Sequence, residues 1–126
     1  VWKTMPGYPA VGTHLPSLLD GARRKNCPLV KLVEKLTANP ARIFGLYPRK
    51  GTIMPGSDAD LVIIDPMREK AVSPETAASR ADFALHQGER LIGWPVAVFK
   101  SGCPVIPDEV SRRVTPVRGT YLRRGS

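Results

Sequence analysis

A mixed α/β chain is predicted by three features of this 126-residue sequence. Leu29, Leu32, Val33 and Leu36 recur at i, i+3, i+4 and i+7, the spacing that puts side chains on one face of a helix. Leu61, Val62, Ile63 and Ile64 form an unbroken apolar run between Asp60 and Asp65-Pro66. A strand without polar alternation is expected to be covered on both faces. Further on, Val96-Ala97-Val98-Phe99-Lys100 and Pro104-Val105-Ile106 flank Ser101-Gly102, which reads as a hairpin.

In chain order, residues 1–16 carry Pro6, Gly7, Pro9, Gly12 and Pro16, which is loop chemistry. Residues 17–24 can form a helix with Leu15, Leu18 and Leu19 turned inward. Cys27-Pro28 breaks the pattern before the firmer helix at 29–36, whose opposite face carries Lys31, Glu34 and Lys35. A short helix follows, with Asn39 as N-cap, Pro40 in the first helical position and Gly45 as the left-handed residue beyond its end. Thr52-Ile53 is expected to start a small sheet. Pro55-Gly56 suits a tight turn, since proline presets the first corner and glycine accepts the positive φ of the second. Lys70-Ala71-Val72 extends the sheet, and Ser73-Pro74-Glu75 reads as the start of a mildly helical stretch over 75–88. Residues 90–94 and 96–100 are strands, and the tail from Pro107 is expected to be an arm that folds only against another surface.

There are 19 Lys+Arg against 11 Asp+Glu, a formal net charge of +8. Such a balance raises nucleic acid or an anionic membrane as partners. The charges are dispersed, however, and Arg23-Arg24-Lys25 is the one run of three. Aromatic residues make up 6% of the chain, too few for a stacking platform. Neither nucleic acid nor membrane is therefore expected as a partner, and no apolar segment approaches the ~20 residues needed to cross a bilayer. Cys27 and Cys103 form neither a CxxC pair nor a disulfide framework, and reduced thiols fit a cytoplasmic protein.

The order of elements in NPARIFGLYPRKGTIMPGSDADLVIIDP, residues 39–66, resembles the cyclic amidohydrolases. The resemblance is to hydantoinases and dihydropyrimidinases, with allantoinases and dihydroorotases more distant. It continues in Val72-Ser73-Pro74-Glu75-Thr76, in Gly93-Trp94-Pro95-Val96 and, upstream, in Gly12-Thr13-His14-Leu15-Pro16. This resemblance implies the C-terminal end of a TIM-like (β/α)8 barrel, followed by the C-terminal part of a small β-sandwich domain. Residues 1–48 would be the last loop and helices of the barrel, 49–106 the β-domain segment and 107–126 a basic tail. A whole barrel takes ~250 residues, so the chain is expected to be a fragment of a larger fold. The missing N-terminal barrel portion would be its first partner. The helix at 29–36, whose apolar face finds nothing to cover it within its own segment, points the same way.

What the family does is metal-assisted opening of a cyclic amide C–N bond, such as that of a hydantoin or dihydropyrimidine. The resemblance implies divalent metal, with zinc expected, held by an HxH pair, a carboxylated lysine, two further histidines and an aspartate. Here the only histidines are His14 and His86, unpaired, so no metal ligand and no catalytic residue is assigned in this segment. For substrate binding the resemblance points to Pro6, Gly7 and Tyr8, in the loop where hydantoinases resemble IPNGxPG. Pro6 stands at the asparagine position, and since proline has no N–H, Gly7 must supply any backbone donor. His14 falls where hydantoinases carry arginine in GVExR-LP, and Gly12 replaces the glutamate; His14 reads as a loop histidine rather than a substrate contact. Asp58, Asp60 and Asp65 read as turn and strand-end residues. Lys50-Gly51-Thr52 lacks the upstream glycine of a phosphate loop. Trp94 is expected in the small sheet, where its N–H needs a partner.

Three functional classes remain open on the sequence. One is the C-terminal segment of a hydrolase that acts as a homo-oligomer, a tetramer in related enzymes. Another is a non-catalytic scaffold relative. A small basic nucleic-acid-binding protein is the third, disfavoured by the dispersed charge.

Overall fold

The computed structural model describes residues 7–106 and 114–123. Among these residues three helices precede a three-stranded antiparallel sheet: α1 (Val11–Arg24), α2 (Leu29–Leu36), α3 (Ala38–Ile43), β1 (Leu61–Ala71), β2 (Arg90–Lys100) and β3 (Cys103–Ile106). The sheet order is β1-β2-β3, so the long β2 is central and carries α1 on it.

α1 starts earlier than its prolines and glycines suggest. The loop reading of residues 11–16 is corrected, since Val11 already lies in the helix and Pro16 sits in its second turn. The missing N–H of Pro16 removes one helical bond. Burial of Pro16 and Leu19 together with Thr13 outweighs that cost by packing this face inward. No side chain caps the N-terminus; instead the Thr13 hydroxyl donates to the Ala10 carbonyl at 3.2 Å. At the other end Arg23 and Arg24 favour the negative pole of the helix and both pair with the buried Asp20.

α2 covers the predicted 29–36. Leu32 is buried, but Leu29, Val33 and Leu36 stay at 49%, 41% and 36% exposure, so much of the apolar face stays open among the described residues. α3 begins at Ala38 without a side-chain cap, which corrects the N-cap assigned to Asn39. Asn39 lies inside the helix, where its Oδ1 accepts from Arg42 at 3.3 Å. Gly45, at φ 66°, is the left-handed residue past the helix end, as expected. Residues 51–60 hold no strand, a correction for Thr52-Ile53. The predicted Pro55-Gly56 turn is present, closed by the Ser57 N–H on the Met54 carbonyl at 3.1 Å with Gly56 at φ 89°.

β1 joins the 61–64 run to Lys70-Ala71 in one strand. Its register against β2 slips between Asp65 and Glu69, opposite Gly93. Pro66 falls in that interruption, where a residue without an N–H costs no ladder bond. Coverage on both faces is not what the fold delivers: Val62 and Ile63 are 48% and 51% exposed. β2 likewise fuses the two predicted segments, with an irregularity at Val96. The hairpin to β3 has Lys100 paired with Cys103 and both loop residues at positive φ, Ser101 at 51° and Gly102 at 77°. That is the two-residue geometry whose twist matches the strands.

The main core lies where the sequence looks least regular. Val72, Ala77, Ala84, Leu91 and Trp94 form the buried cluster, and the Trp94 indole donates to the Leu91 carbonyl at 2.8 Å. The expected helical stretch over 75–88 is instead a set of turns. Ser73 and Thr76 do form a reciprocal cap, Thr76 N–H to Ser73 Oγ at 3.2 Å and Ser73 N–H to Thr76 Oγ1 at 2.7 Å. The turn then ends at Ala78, whose φ of 50° is left-handed and cannot propagate a right-handed helix.

Close approach fixes the glycines at both ends of the α1 packing. Gly93, at φ 98°, lets Leu19 of α1 rest on β2, since a Cβ there would lie 2.9 Å from that of Leu19. A Cβ on Gly12 would lie 1.9 Å from the Ala77 carbonyl oxygen. Residues 114–123 form neither helix nor strand, and the Thr115 N–H bonds the Val105 carbonyl at 2.9 Å.

Candidate functional site

The loop that leads into α1 holds the sequence's substrate-binding candidates. Pro6 lies outside the described residues. Gly7 is exposed, and a Cβ on it would meet no atom within 4 Å. Tyr8 is 66% exposed, and its carbonyl accepts the Ala10 N–H at 2.9 Å. The Ala10 carbonyl in turn takes the Thr13 N–H at 3.1 Å, so the loop is anchored from its helix side by backbone bonds. Gly7 and Tyr8 thus present a backbone and a ring to open space beside an ordered helix start. His14 is exposed on α1 rather than in a loop. His86 is exposed in a turn, where its Nδ1 lies 3.2 Å from Glu89.

A second constellation is built from the segment after α3, the residues before β1 and the β2–β3 hairpin. Lys50 lies between two carboxylates, 2.8 Å from Asp58 and in direct contact with Asp60. Asp60 also accepts from the Lys100 ammonium at 3.0 Å and from the Ser101 backbone N–H at 2.8 Å. Asp58 accepts from Arg49 Nε at 3.2 Å. Partial burial works against the Asp60 carboxylate. The hydrogen bonds from Lys50, the Ser101 amide and Lys100 outweigh it and hold the Asp60 pKa well below the usual carboxylate range. The Lys50 hydrogen bond, against partial desolvation and with help from Arg49, lowers that of Asp58. For Lys50 itself desolvation is opposed by bonds and charge from Asp58 and Asp60, and the balance raises its pKa.

Reading Asp58 and Asp60 as turn residues captured their backbone role and missed Lys50 and Lys100. The only local signal was the lysine next to each turn. Bringing Lys100 to Asp60 across 40 positions requires the β1–β2 register, which pairs Leu61 with Phe99. Asp65 does act locally, accepting the Met67 N–H at 3.0 Å.

Among the described residues, no three His, Cys, Asp or Glu side chains gather where they could hold a metal ion. The two carboxylates that do converge enclose the Lys50 ammonium. The donor set therefore does not fit a catalytic metal, and no chemical step is assigned to one on these residues. Cys27 and Cys103 are unbridged. Among the described residues no helix is long and apolar enough to cross a membrane.

The profile of the amidohydrolase family matches residues 10–103, which spans α1 through the start of β3. The chain belongs to the amidohydrolase family. Members of that family are generally metal-dependent. Among relatives, this amidohydrolase chain is 36% identical over 125 residues to a D-hydantoinase of Geobacillus stearothermophilus, covering 97% of this chain and 26% of that protein. It is 37% identical over 102 residues to a D-hydantoinase of Streptomyces coelicolor, covering 81% and 22%. Among solved structures, the L-hydantoinase (dihydropyrimidinase) from Arthrobacter aurescens superposes with a TM-score of 0.77 at 30% identity, over 98% of this chain and 26% of that one. The chain thus spans about a quarter of the length of the curated relatives it matches.

Proposed function

We propose that this chain is the C-terminal part of a metal-dependent hydrolase that opens cyclic amide C–N bonds of the hydantoin or dihydropyrimidine type. The observation that carries the reading is collinear similarity to hydantoinases along nearly the whole chain, 97% of it in one relative. The exposed apolar faces of α2 and β1 support it, because a barrel wall for α2 and the rest of a sandwich for β1 are what such faces would pack on. On this reading residues 1–48 are the closing loop and helices of a (β/α)8 barrel. Residues 49–106 belong to a small β-sandwich domain, and 107–126 form a basic tail that reaches a neighbouring subunit of a tetramer. Zinc is the metal, its ligands belong to the preceding barrel portion, and the protein is cytoplasmic.

Pro6, Gly7 and Tyr8 line the substrate pocket. The Gly7 amide donates to a ring carbonyl, a bond that the neighbouring proline cannot make. Without a Cβ, Gly7 lets the ring approach the backbone closely. The Tyr8 ring forms an apolar wall that keeps water from the face of the substrate. This assigns the segment binding and positioning, with the reacting groups elsewhere.

The test is hydrolysis of hydantoin and dihydrouracil, with zinc or manganese supplied, by the 126-residue chain and by the longer protein that carries it. The expected result is turnover by the longer protein and none by the chain alone. Turnover by the chain alone would refute the placement of the reacting groups. A longer protein that binds the ring without opening it would support the scaffold reading instead.

A further inference from the structure

Asp60 is the point where three separate segments meet. Its carboxylate takes Lys50 from the segment after α3, Lys100 from the end of β2, and the backbone N–H of Ser101 from the hairpin turn. Asp58, on the other side of Lys50, carries Arg49. Backbone bonds run parallel to the charges. The Asp58 N–H donates to the Arg49 carbonyl and the Gly102 N–H to the Ala59 carbonyl, each at 2.9 Å, while Ser57 Oγ donates to the Pro48 carbonyl at 2.7 Å.

We propose that Lys50, Asp60 and Lys100 form a latch that makes the β2–β3 hairpin and the 48–60 segment open and close as one unit. Neither region has a continuous apolar core of its own. Ile53 and Met54 are 87% and 49% exposed, and Cys103 and Pro104 at the start of β3 are exposed as well. What holds them together is therefore polar: the Gly102–Ala59 backbone bond and, on the side chains, the Asp60 carboxylate. Lys50 alone would bind two carboxylates of its own segment, and Lys100 alone would bind only its neighbour in the sheet. Sharing Asp60 connects the two. Charged hydrogen bonds of this sort are stronger than neutral ones, and a network loses more on deletion of its shared member than of an outer one. The latch asks nothing of hydrolysis, so it stands or falls apart from the function proposed above.

Amide exchange followed by NMR in the full chain tests it. Lys50 touches neither the Ser101 nor the Gly102 amide, yet Lys50→Met is expected to speed exchange at both by about tenfold, as a locally opening unit would. Asp60→Asn is expected to speed exchange at Ser101, Gly102, Ser57 and Asp58 together. The Val72 and Gly88 amides, bonded within the loop around the main core, serve as the control for an intact fold and are expected to be unchanged in both variants. Acceleration at Ser101 alone in Asp60→Asn, with no effect of Lys50→Met on the hairpin, would overturn the proposal. So would equal acceleration at the Val72 and Gly88 amides, because global loosening is not a latch.

Discussion

Two halves of this chain solve burial in opposite ways. Around Trp94, turns from 72–88 fold over β2 and close a core of Val72, Ala77, Ala84 and Leu91, with α1 held against the same strand at Gly93. Around α2 and α3 apolar side chains stay open, and Ile43 and Phe44 at the end of α3 are 70% and 55% exposed. Irregular backbone surrounds the better core, while the cleanest helical periodicity faces open space. Periodicity reports which face of an element is apolar; what covers that face depends on chain that meets it from elsewhere.

Substitutions sharpen the contrast, starting with the largest effect. Trp94→Ala removes the biggest side chain of the closed core and leaves its cavity, and a loss of about 3–5 kcal/mol is expected in denaturant unfolding. Gly12→Ala forces a methyl against the Ala77 carbonyl and is expected to cost about 1–3 kcal/mol in the same measurement. On the open side, Leu29→Lys combined with Val33→Lys is expected to change unfolding stability by only about 0.5 kcal/mol per site. Its effect should appear in binding of an apolar-surface dye, which falls. A large stability loss from that pair would mean that α2 is already covered within the chain.

Acid separates the regions again. The carboxylates of Asp58 and Asp60 have pKa values lowered by folding. Their contribution is therefore present above the unfolded value of about 3.9 and is lost as pH falls through the lower folded values. Lys50 has its pKa raised, so its contribution holds below its ordinary value and fades as pH climbs through the raised one. Exchange at the Ser101 amide, corrected for intrinsic pH dependence, is expected to rise below about pH 4, ahead of that at Val72. Asp60→Asn is expected to remove that acid-dependent rise.

Much of this was legible in the sequence because local chemistry decides it. The α2 face, the Pro55-Gly56 turn, Gly45 past α3 and the Ser101-Gly102 hairpin follow from spacing and from backbone freedom at single residues. What failed depended on tertiary context. Pro16 looks like loop chemistry until burial of its neighbours keeps the helix running through it. Ser73 and Thr76 promise a helix that Ala78 stops after one turn. Of the candidate site, Gly7 and Tyr8 lie exposed in irregular chain ahead of α1, and nothing beyond that backbone course was legible in the sequence. The Lys50–Asp60–Lys100 group needed the β1–β2 register and could not be assembled from any local motif.

The open apolar side of this chain is expected to behave as a surface that another surface covers. Sedimentation of the purified 126-residue chain, beside its Leu29→Lys/Val33→Lys variant and with an apolar-surface dye present, tests it most directly. The unaltered chain is expected to self-associate and bind dye, and the variant to sediment as a monomer with little dye bound. A chain that is already monomeric and dye-free without the two lysines would contradict it.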